Sequence, residues 1–154
     1  MVFNLNSKSV EEIIEKHDIT KNMSIMEIGC GEGRDAIHLL KSEYNLLATD
    51  LSPTAVDFCK QSMPDKAQSF RVLNCLTDTT DERFDFIYAI AVLHMLVVDE
   101  DRELFYQFIG NQLNDTGIAL ICTIGDGVEE WSSDPSTAFE LRRRLHESSG
   151  EELI

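Results

Sequence analysis

The sequence predicts a single α/β domain of the doubly wound, Rossmann-like type, with a mostly parallel sheet and helices on both faces. Two observations support this prediction. Short apolar runs alternate along the chain with stretches of helical character, and strands that alternate with helices form parallel sheets covered on both sides. A glycine-rich turn also follows the first apolar run, at the end of a strand, where such folds bind their ligands.

The predicted strands are apolar runs bounded by turn residues, the pattern of strands buried on both faces. They cover residues 25–28, 45–49, 70–73, 84–90 and 118–124.

Four helices are predicted around these strands. The first covers residues 10–17, with Ser9 as its cap and Glu11 and Glu12 in its first turn, where the helix dipole favours acids. The second covers residues 34–41, and the third covers 53–63, with Ser52 as cap and proline at its first position. The fourth covers 99–113. Its predicted apolar face consists of Leu104, Phe105, Phe108, Ile109 and Leu113.

Composition limits the kinds of partner. Of 154 residues, 43% are hydrophobic and 27% are charged, and 28 acidic against 13 basic residues give a net charge of −15. This charge repels nucleic acid and anionic membranes, but a neutral or cationic small molecule or a basic protein patch remains compatible. No apolar stretch reaches membrane-spanning length, and the first residues lack a secretion signal. We therefore expect a cytoplasmic protein.

The four cysteines, Cys30, Cys59, Cys75 and Cys122, form no Cys-x-x-Cys pair, and no histidine lies at metal-ligand spacing. The sequence therefore predicts reduced, mostly buried thiols and no metal site.

The turn after the first strand contains Gly29, Gly31 and Gly33. Alternating glycines let a backbone approach a ligand without an intervening Cβ, and exposed N–H groups at a helix start suit a carboxylate or phosphate. A dinucleotide fingerprint would need glycine at position 34, where this chain has Arg34. Glu27, two positions before the first glycine, would repel a pyrophosphate and attract an α-ammonium group. The loop therefore favours an amino-acid-bearing nucleoside over a dinucleotide.

Polar residues also follow the second and third strands. Asp50 lies 21 residues after Gly29, close to the spacing at which an acid binds ribose hydroxyls; the alternative is a helix-capping or surface aspartate. Asn74 can accept a hydrogen bond from an adenine amino group or form a turn. Leu51 and Leu76 supply apolar faces for an adenine ring, or they belong to the core.

Residues 27–33, Asp50 and the stretch 84–96, with Phe-Asp-x-Ile-Tyr followed by Val-Leu-His, together resemble the class I S-adenosylmethionine (SAM)-dependent methyltransferases. Within that group the chain is similar to small, cap-less enzymes that methylate small molecules, tellurite-resistance-like methyltransferases among them. The resemblance runs from about residue 23 to 126, roughly two-thirds of the chain. It implies SAM as the cofactor and a small-molecule methyl acceptor.

The resemblance also implies a set of cofactor-binding residues. Glu27 would lie near the amino end of the methionine part of SAM, and Asp50 would lie at the ribose hydroxyls. Ala89 and Ile90 would contact the methionine part through their backbone atoms. Asn74 lies where many members carry aspartate for the adenine amino group, a departure that would weaken adenine binding. The predicted set is Glu27, Gly29, Cys30, Gly31, Gly33, Arg34, Asp50, Leu51, Asn74, Cys75, Ala89 and Ile90.

Three of the candidate residues keep two interpretations, and a fourth, Asp126, is a candidate for the acceptor side. Arg34 either pairs with the SAM carboxylate or is solvated, and Cys30 either contacts the cofactor or is only a small residue that fits. His94, just beyond the fourth strand, is a candidate general base; alternatively it packs on the next helix. Asp126, in Gly-Asp-Gly after the fifth strand, can line the acceptor pocket.

The chain departs from the family at its C-terminal end. The family fold has seven strands, of which five are recognisable, because residues after 124 predict a loop, a helix over about 135–147 and no strand. The fifth strand would then be an exposed apolar edge. We expect a domain over residues 1–154 that is truncated relative to the family, or an edge covered by a second copy in a homodimer or by the last helix with Trp131.

Three functions follow from these patterns. The first is SAM-dependent methyl transfer to a small molecule. The second is a non-catalytic SAM-binding or interaction module derived from the same fold, favoured by the missing strands and by Asn74. The third is an NAD-dependent oxidoreductase, which Glu27 and Arg34 both disfavour.

Overall fold

The computed structural model describes residues 7–123, 144–145 and 152–153. Its main sheet has five strands, each parallel to its neighbours. They are β1 (Ser24–Ile28), β2 (Asn45–Asp50), β3 (Phe70–Val72), β4 (Phe84–Ile90) and β5 (Leu113–Cys122). Their order is β3-β2-β1-β4-β5. After β3 the chain crosses back over the sheet to β4, so the strand order reverses between the neighbouring strands β1 and β4. This arrangement confirms the predicted doubly wound α/β fold.

Helices cover both faces of the sheet. In the described part of the chain they are α1 (Ser7–Lys16), α2 (Arg34–Lys41), α3 (Pro53–Ser62) and α4 (Asp99–Gln112). Helices α1, α2 and α3 share one apolar core, which includes Ile25 of β1, and α4 packs on the other face against a core that includes Met26. Alternate residues of one strand thus serve opposite faces. No helix among the described residues has the length and apolarity needed to cross a membrane.

The four helices predicted before residue 114 are confirmed, with α1, α3 and α4 each ending one residue early and with a different start for α1. Ser52 caps α3 as predicted, its hydroxyl oxygen accepting a hydrogen bond from the Ala55 N–H at 3.3 Å. Helix α1 begins at Ser7, so Ser9 lies inside it and is not its cap, and no acid occupies its first turn. The extra turn is supported by a Lys8–Glu12 pair, four residues apart with 4.0 Å between the charged atoms.

Strand β5 begins earlier than the predicted 118–124. It follows α4 directly, because Leu113 pairs with Phe84 before the register shifts and Ile118 pairs with Phe86. A Cβ on Gly117 would lie 2.9 Å from the Phe84 carbonyl oxygen, so the irregular segment approaches β4 closely. An irregular register of this kind leaves no periodic pattern in the sequence.

The predicted apolar face of α4 is correct except for Leu104 and for Leu113, which belongs to β5. Phe105, Phe108 and Ile109 are buried, whereas 41% of Leu104 is exposed. Leu104 points away from the sheet because the face that packs on it spans only part of the helix circumference.

The end of the described chain corrects one prediction. Two short strands, β6 (Arg144–Leu145) and β7 (Glu152–Leu153), form a separate antiparallel pair, so residues 144–145 are not helical and strands do occur after residue 124. Strands of two residues are too short for a periodicity signal. Trp131 and the rest of the predicted helix lie outside the described residues. Within them β5 pairs only with β4, and its pairing with a second copy stays a prediction.

Replacing Phe105 tests the packing of α4 on the sheet. Phe105 is 0% exposed, so Phe105→Ala should lower the free energy of unfolding by about 3–5 kcal/mol, through lost burial and a residual cavity. Tyr106, its neighbour, is 50% exposed, and Tyr106→Ala should change little. Urea denaturation followed by circular dichroism measures both, and equal losses would contradict the described helix face.

Candidate functional site

The glycine loop, residues 29–33, is held by the end of β2. The N–H groups of Gly29 and Cys30 both donate to the Thr49 carbonyl oxygen, at 2.8 and 2.9 Å. The Gly31 N–H donates to Asp50 Oδ2 at 2.8 Å, and the Ser52 N–H donates to Asp50 Oδ1 at the same distance. Adjacent strand ends therefore fix the path of the loop.

The three glycines of the loop all have positive φ, but for different reasons. A Cβ on Gly29 would lie 2.4 Å from Val92 Cγ2, and one on Gly33 would lie 2.7 Å from Cys59 Sγ. A Cβ on Gly31 would meet no atom within 4 Å. Gly29 and Gly33 are thus required for packing, while the space beside Gly31 is open.

A cleft of about 350 Å³ opens where the carboxyl ends of β1 to β4 meet. This is the position beside the reversal of strand order at which open α/β sheets bind ligands. Asp50 is the one charged side chain among the residues that line it. The lining residues are Ile28, Gly29, Asp50, Leu51, Leu73, Asn74, Cys75, Leu76, Ala91, Val92, Met95 and Leu96.

Five residues of the predicted cofactor set line this cleft: Gly29, Asp50, Leu51, Asn74 and Cys75. The others do not line it. Cys30, Gly31 and Gly33 lie in the loop beside it, and Glu27 and Arg34 flank the loop. Asp126 lies outside the described residues.

Ala91 and Val92, and not Ala89 and Ile90, lie on the cleft wall after β4, and the contact of Ala89 and Ile90 with the cofactor stays a prediction. Ala89 is fully buried within the sheet, and Ile90 packs against the core under α1 to α3. Ala91 and Val92 line the cleft instead. The chain turns at Ala91, which has a φ of 60° and donates its N–H to the Cys122 carbonyl oxygen at 2.8 Å. A left-handed alanine has no sequence signature, which is why this turn was not predicted.

The cleft also has an apolar rim, of which the sequence predicted only Leu51 as a site residue. Met95 is 70% exposed and Leu51 is 65% exposed, and Leu96 is half-buried beside them. Exposed apolar side chains at a cleft mouth suit an apolar ligand. His94, in the single 3₁₀ turn Leu93–Met95, is exposed and does not line the cleft.

Asn74 forms a turn, one of the two predicted alternatives. Its side-chain Oδ1 accepts a hydrogen bond from the Leu76 N–H at 3.0 Å, and its backbone N–H donates to Asp78 Oδ2 at 2.8 Å. A carbonyl oxygen can accept a second hydrogen bond, so the adenine contact stays a prediction. Arg34 Nη2 lies 3.3 Å from Asp35 Oδ2, and its pairing with the SAM carboxylate likewise stays a prediction.

Glu27 is buried beneath the loop, on the sheet face that carries α1 to α3. Burial raises the pKa of its carboxyl from the ordinary 4.5 to about 8, and the negative charge of Asp35 adds to the shift. The Tyr88 hydroxyl and the charge of Arg34 oppose it, while Asp50 raises it further. Glu27 is therefore mostly protonated at neutral pH.

The cysteines are all free thiols, as predicted. Cys30 and Cys59 are buried, and Cys75 and Cys122 are half-buried. Burial raises the pKa of Cys30, Cys59 and Cys75, so these thiols are poor nucleophiles. The described residues contain no group of three or more side chains placed to hold a metal ion.

The fold, the glycine loop and the cleft are those of the class I SAM-dependent methyltransferase fold. The chain belongs to the family described as "Methyltransferase domain", whose sequence profile matches residues 26–119. A comparison of the sequence with curated proteins gave no match.

Solved methyltransferases share the architecture. A TehB-like SAM-dependent methyltransferase from Corynebacterium glutamicum is 25% identical over 77% of this chain and 62% of that one, with a TM-score of 0.63. A structure described for the conversion of a disulfide bond into a thioacetal during echinomycin biosynthesis is 28% identical, over 76% and 48%, with a TM-score of 0.61. The glycopeptide N-methyltransferase MtfA is 16% identical, over 94% and 61%, with a TM-score of 0.66, a likeness of fold alone.

These comparisons confirm the class predicted from the sequence and SAM as its cofactor. The chain spans between 48% and 62% of the length of the three solved structures. The roles of individual residues are not tested by the comparisons.

Replacing Gly29 tests the close approach of the loop to β4. Gly29→Ala would meet Val92 and hold alanine at a φ of 76°, so it should destabilise the fold by about 1–3 kcal/mol. Gly110 lies in α4 with open space around it, and Gly110→Ala should stabilise by about 0.5–1 kcal/mol. Thermal unfolding measures both. A neutral Gly29→Ala would show that Val92 does not pack against the loop.

Proposed function

We propose that this chain binds SAM in the cleft at the ends of β1 to β4 and transfers its methyl group to a small-molecule acceptor. The observation that carries the proposal is the junction of the glycine loop with Asp50. Gly31 presents its open side to the ligand, while the Asp50 carboxylate lies on the cleft wall beside it.

The charges of the cleft support SAM over a dinucleotide. The lining residues include one carboxylate, Asp50, and no lysine, arginine or histidine. A pyrophosphate held there would lack a compensating cation. SAM carries positive charge on its sulfonium and ammonium groups, and an acidic, largely apolar cleft suits it. The same reasoning disfavours the NAD-dependent oxidoreductase.

In this proposal each strand end contacts one part of SAM. Asp50 would accept hydrogen bonds from the ribose hydroxyls while keeping the loop N–H of Gly31. Leu51 and Leu76 would pack on the faces of the adenine ring, since both line the cleft. Asn74 Oδ1 already accepts one hydrogen bond, from the Leu76 N–H. Its second lone pair would accept a hydrogen bond from the adenine amino group. The methionine part of SAM would then lie against Gly29 and Ala91, which also line the cleft.

The acceptor would bind against the apolar rim. When bound, SAM supplies an electrophilic methyl group, and the protein's contribution is to hold the acceptor in line with it and to exclude water. Met95 and Leu96 would hold an apolar part of the acceptor near the mouth of the cleft. His94, exposed one residue before Met95, would take a proton from an acceptor that arrives protonated. Asp126 is the second candidate for that side.

A SAM-binding module without turnover is the second candidate function. The observation in its favour is that, apart from Asp50 and Cys75, no titratable side chain lines the described cleft. An acceptor that binds already deprotonated would need none, so methyl transfer remains the leading proposal.

Replacing Asp50 tests the binding site. Asp50→Ala removes the proposed ribose acceptor and the anchor of the Gly31 N–H, so the Kd for S-adenosylhomocysteine should increase at least about tenfold, the loss expected for a charged hydrogen-bond partner. Asp57→Ala, on the exposed side of α3, should leave it unchanged. Isothermal titration calorimetry gives both values, and circular dichroism verifies folding. Equal affinities in the two variants would place the ribose elsewhere.

Methyl transfer itself is tested with methyl-labelled SAM. Purified protein is incubated with a panel of apolar thiols, amines and oxyanions, and label in an acceptor is counted with and without sinefungin as competitor. We expect transfer to at least one acceptor, abolished by sinefungin. Calorimetric binding of S-adenosylhomocysteine without transfer to any acceptor would favour the binding module, and binding of NAD in place of it would contradict both.

A further inference from the structure

Glu27 and Tyr88 form a buried pair beneath the glycine loop. They are register partners on the neighbouring strands β1 and β4, so their side chains lie side by side on the same face of the sheet. Both residues are almost completely buried. Glu27 Oε2 and the Tyr88 hydroxyl are buried polar atoms. Among the described residues, neither has a partner at hydrogen-bond distance and angle. Two adjacent unsatisfied polar atoms in a core call for a functional explanation.

The two atoms are chemically complementary. An ionised carboxylate oxygen only accepts hydrogen bonds, and a tyrosine hydroxyl can donate one. Burial, with the nearby Glu27, raises the pKa of Tyr88 well above its usual 10, so the hydroxyl keeps its proton. The Tyr88 ring is 0% exposed and stacks on Phe86, with 5.5 Å between ring centroids, so the hydroxyl has little freedom to move away.

The other groups around Glu27 leave its negative charge poorly compensated. Helix α2 contributes Asp35, which disfavours the charge, and Arg34, which favours it, and β2 contributes Asp50, which disfavours it. Cys30 from the loop and Cys59 from α3 face the same region as neutral thiols, because their pKa values are raised.

Among the described residues, the carboxylates of Asp35 and Asp50 oppose ionisation of Glu27, and Arg34 and the Tyr88 hydroxyl favour it. A cation bound above the loop would favour the ionised form further.

We propose that Tyr88 is a positioning residue: its hydroxyl holds the Glu27 carboxyl beneath the glycine loop and donates a hydrogen bond to Oε2 when Glu27 ionises on binding of a cationic ligand. The proton of Glu27 leaves to solvent, while Tyr88 keeps its own. The identity of the cation, the α-ammonium group of SAM, rests on the proposed function. The coupling between Glu27 and Tyr88 does not.

The coupling is tested on the protein without ligand. Carbon-13 NMR follows the side-chain carboxyl carbon of Glu27 from pH 5 to pH 10 in wild type, Tyr88→Phe and the control Tyr44→Phe. We expect a wild-type midpoint near 8 and, in Tyr88→Phe, a midpoint higher by roughly half a pKa unit or more, about threefold in the dissociation constant. Tyr44→Phe should match wild type. Equal midpoints in all three proteins would overturn the proposal.

A second measurement needs no variant. The ring carbon bearing the Tyr88 hydroxyl should shift with the same midpoint as the Glu27 carboxyl carbon in wild-type protein, because the hydrogen bond changes when Glu27 ionises. A Tyr88 signal that does not follow the Glu27 titration would also overturn the proposal, even if Tyr88→Phe failed to fold.

Ligand coupling is tested by repeating the titration with S-adenosylhomocysteine, which carries the ammonium group. The Glu27 midpoint should fall, and by linkage the affinity of wild type should rise with pH relative to Glu27→Gln. Binding that leaves the Glu27 midpoint unchanged would overturn the coupling to ligand. If the compound fails to bind at any pH, the proposed function fails, and the ligand-free titration still decides the role of Tyr88.

Discussion

The carbonyl oxygen of Thr49 accepts hydrogen bonds from two consecutive N–H groups, those of Gly29 and Cys30, and the site depends on this bifurcated contact. The Thr49 side chain is fully buried and donates its hydroxyl hydrogen to the Glu27 carbonyl oxygen at 2.8 Å. One residue at the end of β2 therefore binds the chain on both sides of the turn from strand to loop. The loop can follow this path only because residue 29 is glycine, with a φ of 76°.

The position of the loop determines which other strand ends can form the cleft. Gly29 comes so close to Val92 that no Cβ fits between them, and this contact brings the segment after β4 to the floor of the site. Asp50 holds the other side through the Gly31 N–H. The cleft wall is thus formed where the backbones of neighbouring parallel strands come close together. This explains why a site with one charged lining residue has a defined shape.

The sequence predicts the parts of this structure that repeat a local pattern. Continuous apolar runs predict β1 to β4 within a residue, and Ser52 with Pro53 predicts the start of α3, because burial and capping act on neighbouring residues. The left-handed turn at Ala91 and the register shift before Ile118 are set by contacts between strands far apart in the chain. The position of Glu27 is likewise set by contacts between distant parts of the chain. Alternation along β1 turns its side chain away from the cleft and toward Tyr88 on β4.

Burying an acid beneath the loop links stability to ligand binding. The Glu27 carboxyl has a pKa of about 8 in the fold against an ordinary 4.5, so the folded protein binds more protons than the unfolded chain between these values. The contribution of this group to stability is therefore greatest below pH 4.5 and is lost as pH rises through about 8. A cation above the loop favours the ionised form and offsets this loss. In the proposed coupling, the same buried charge weakens the empty fold and strengthens the complex, which would account for an acid in a core that otherwise consists mostly of apolar side chains.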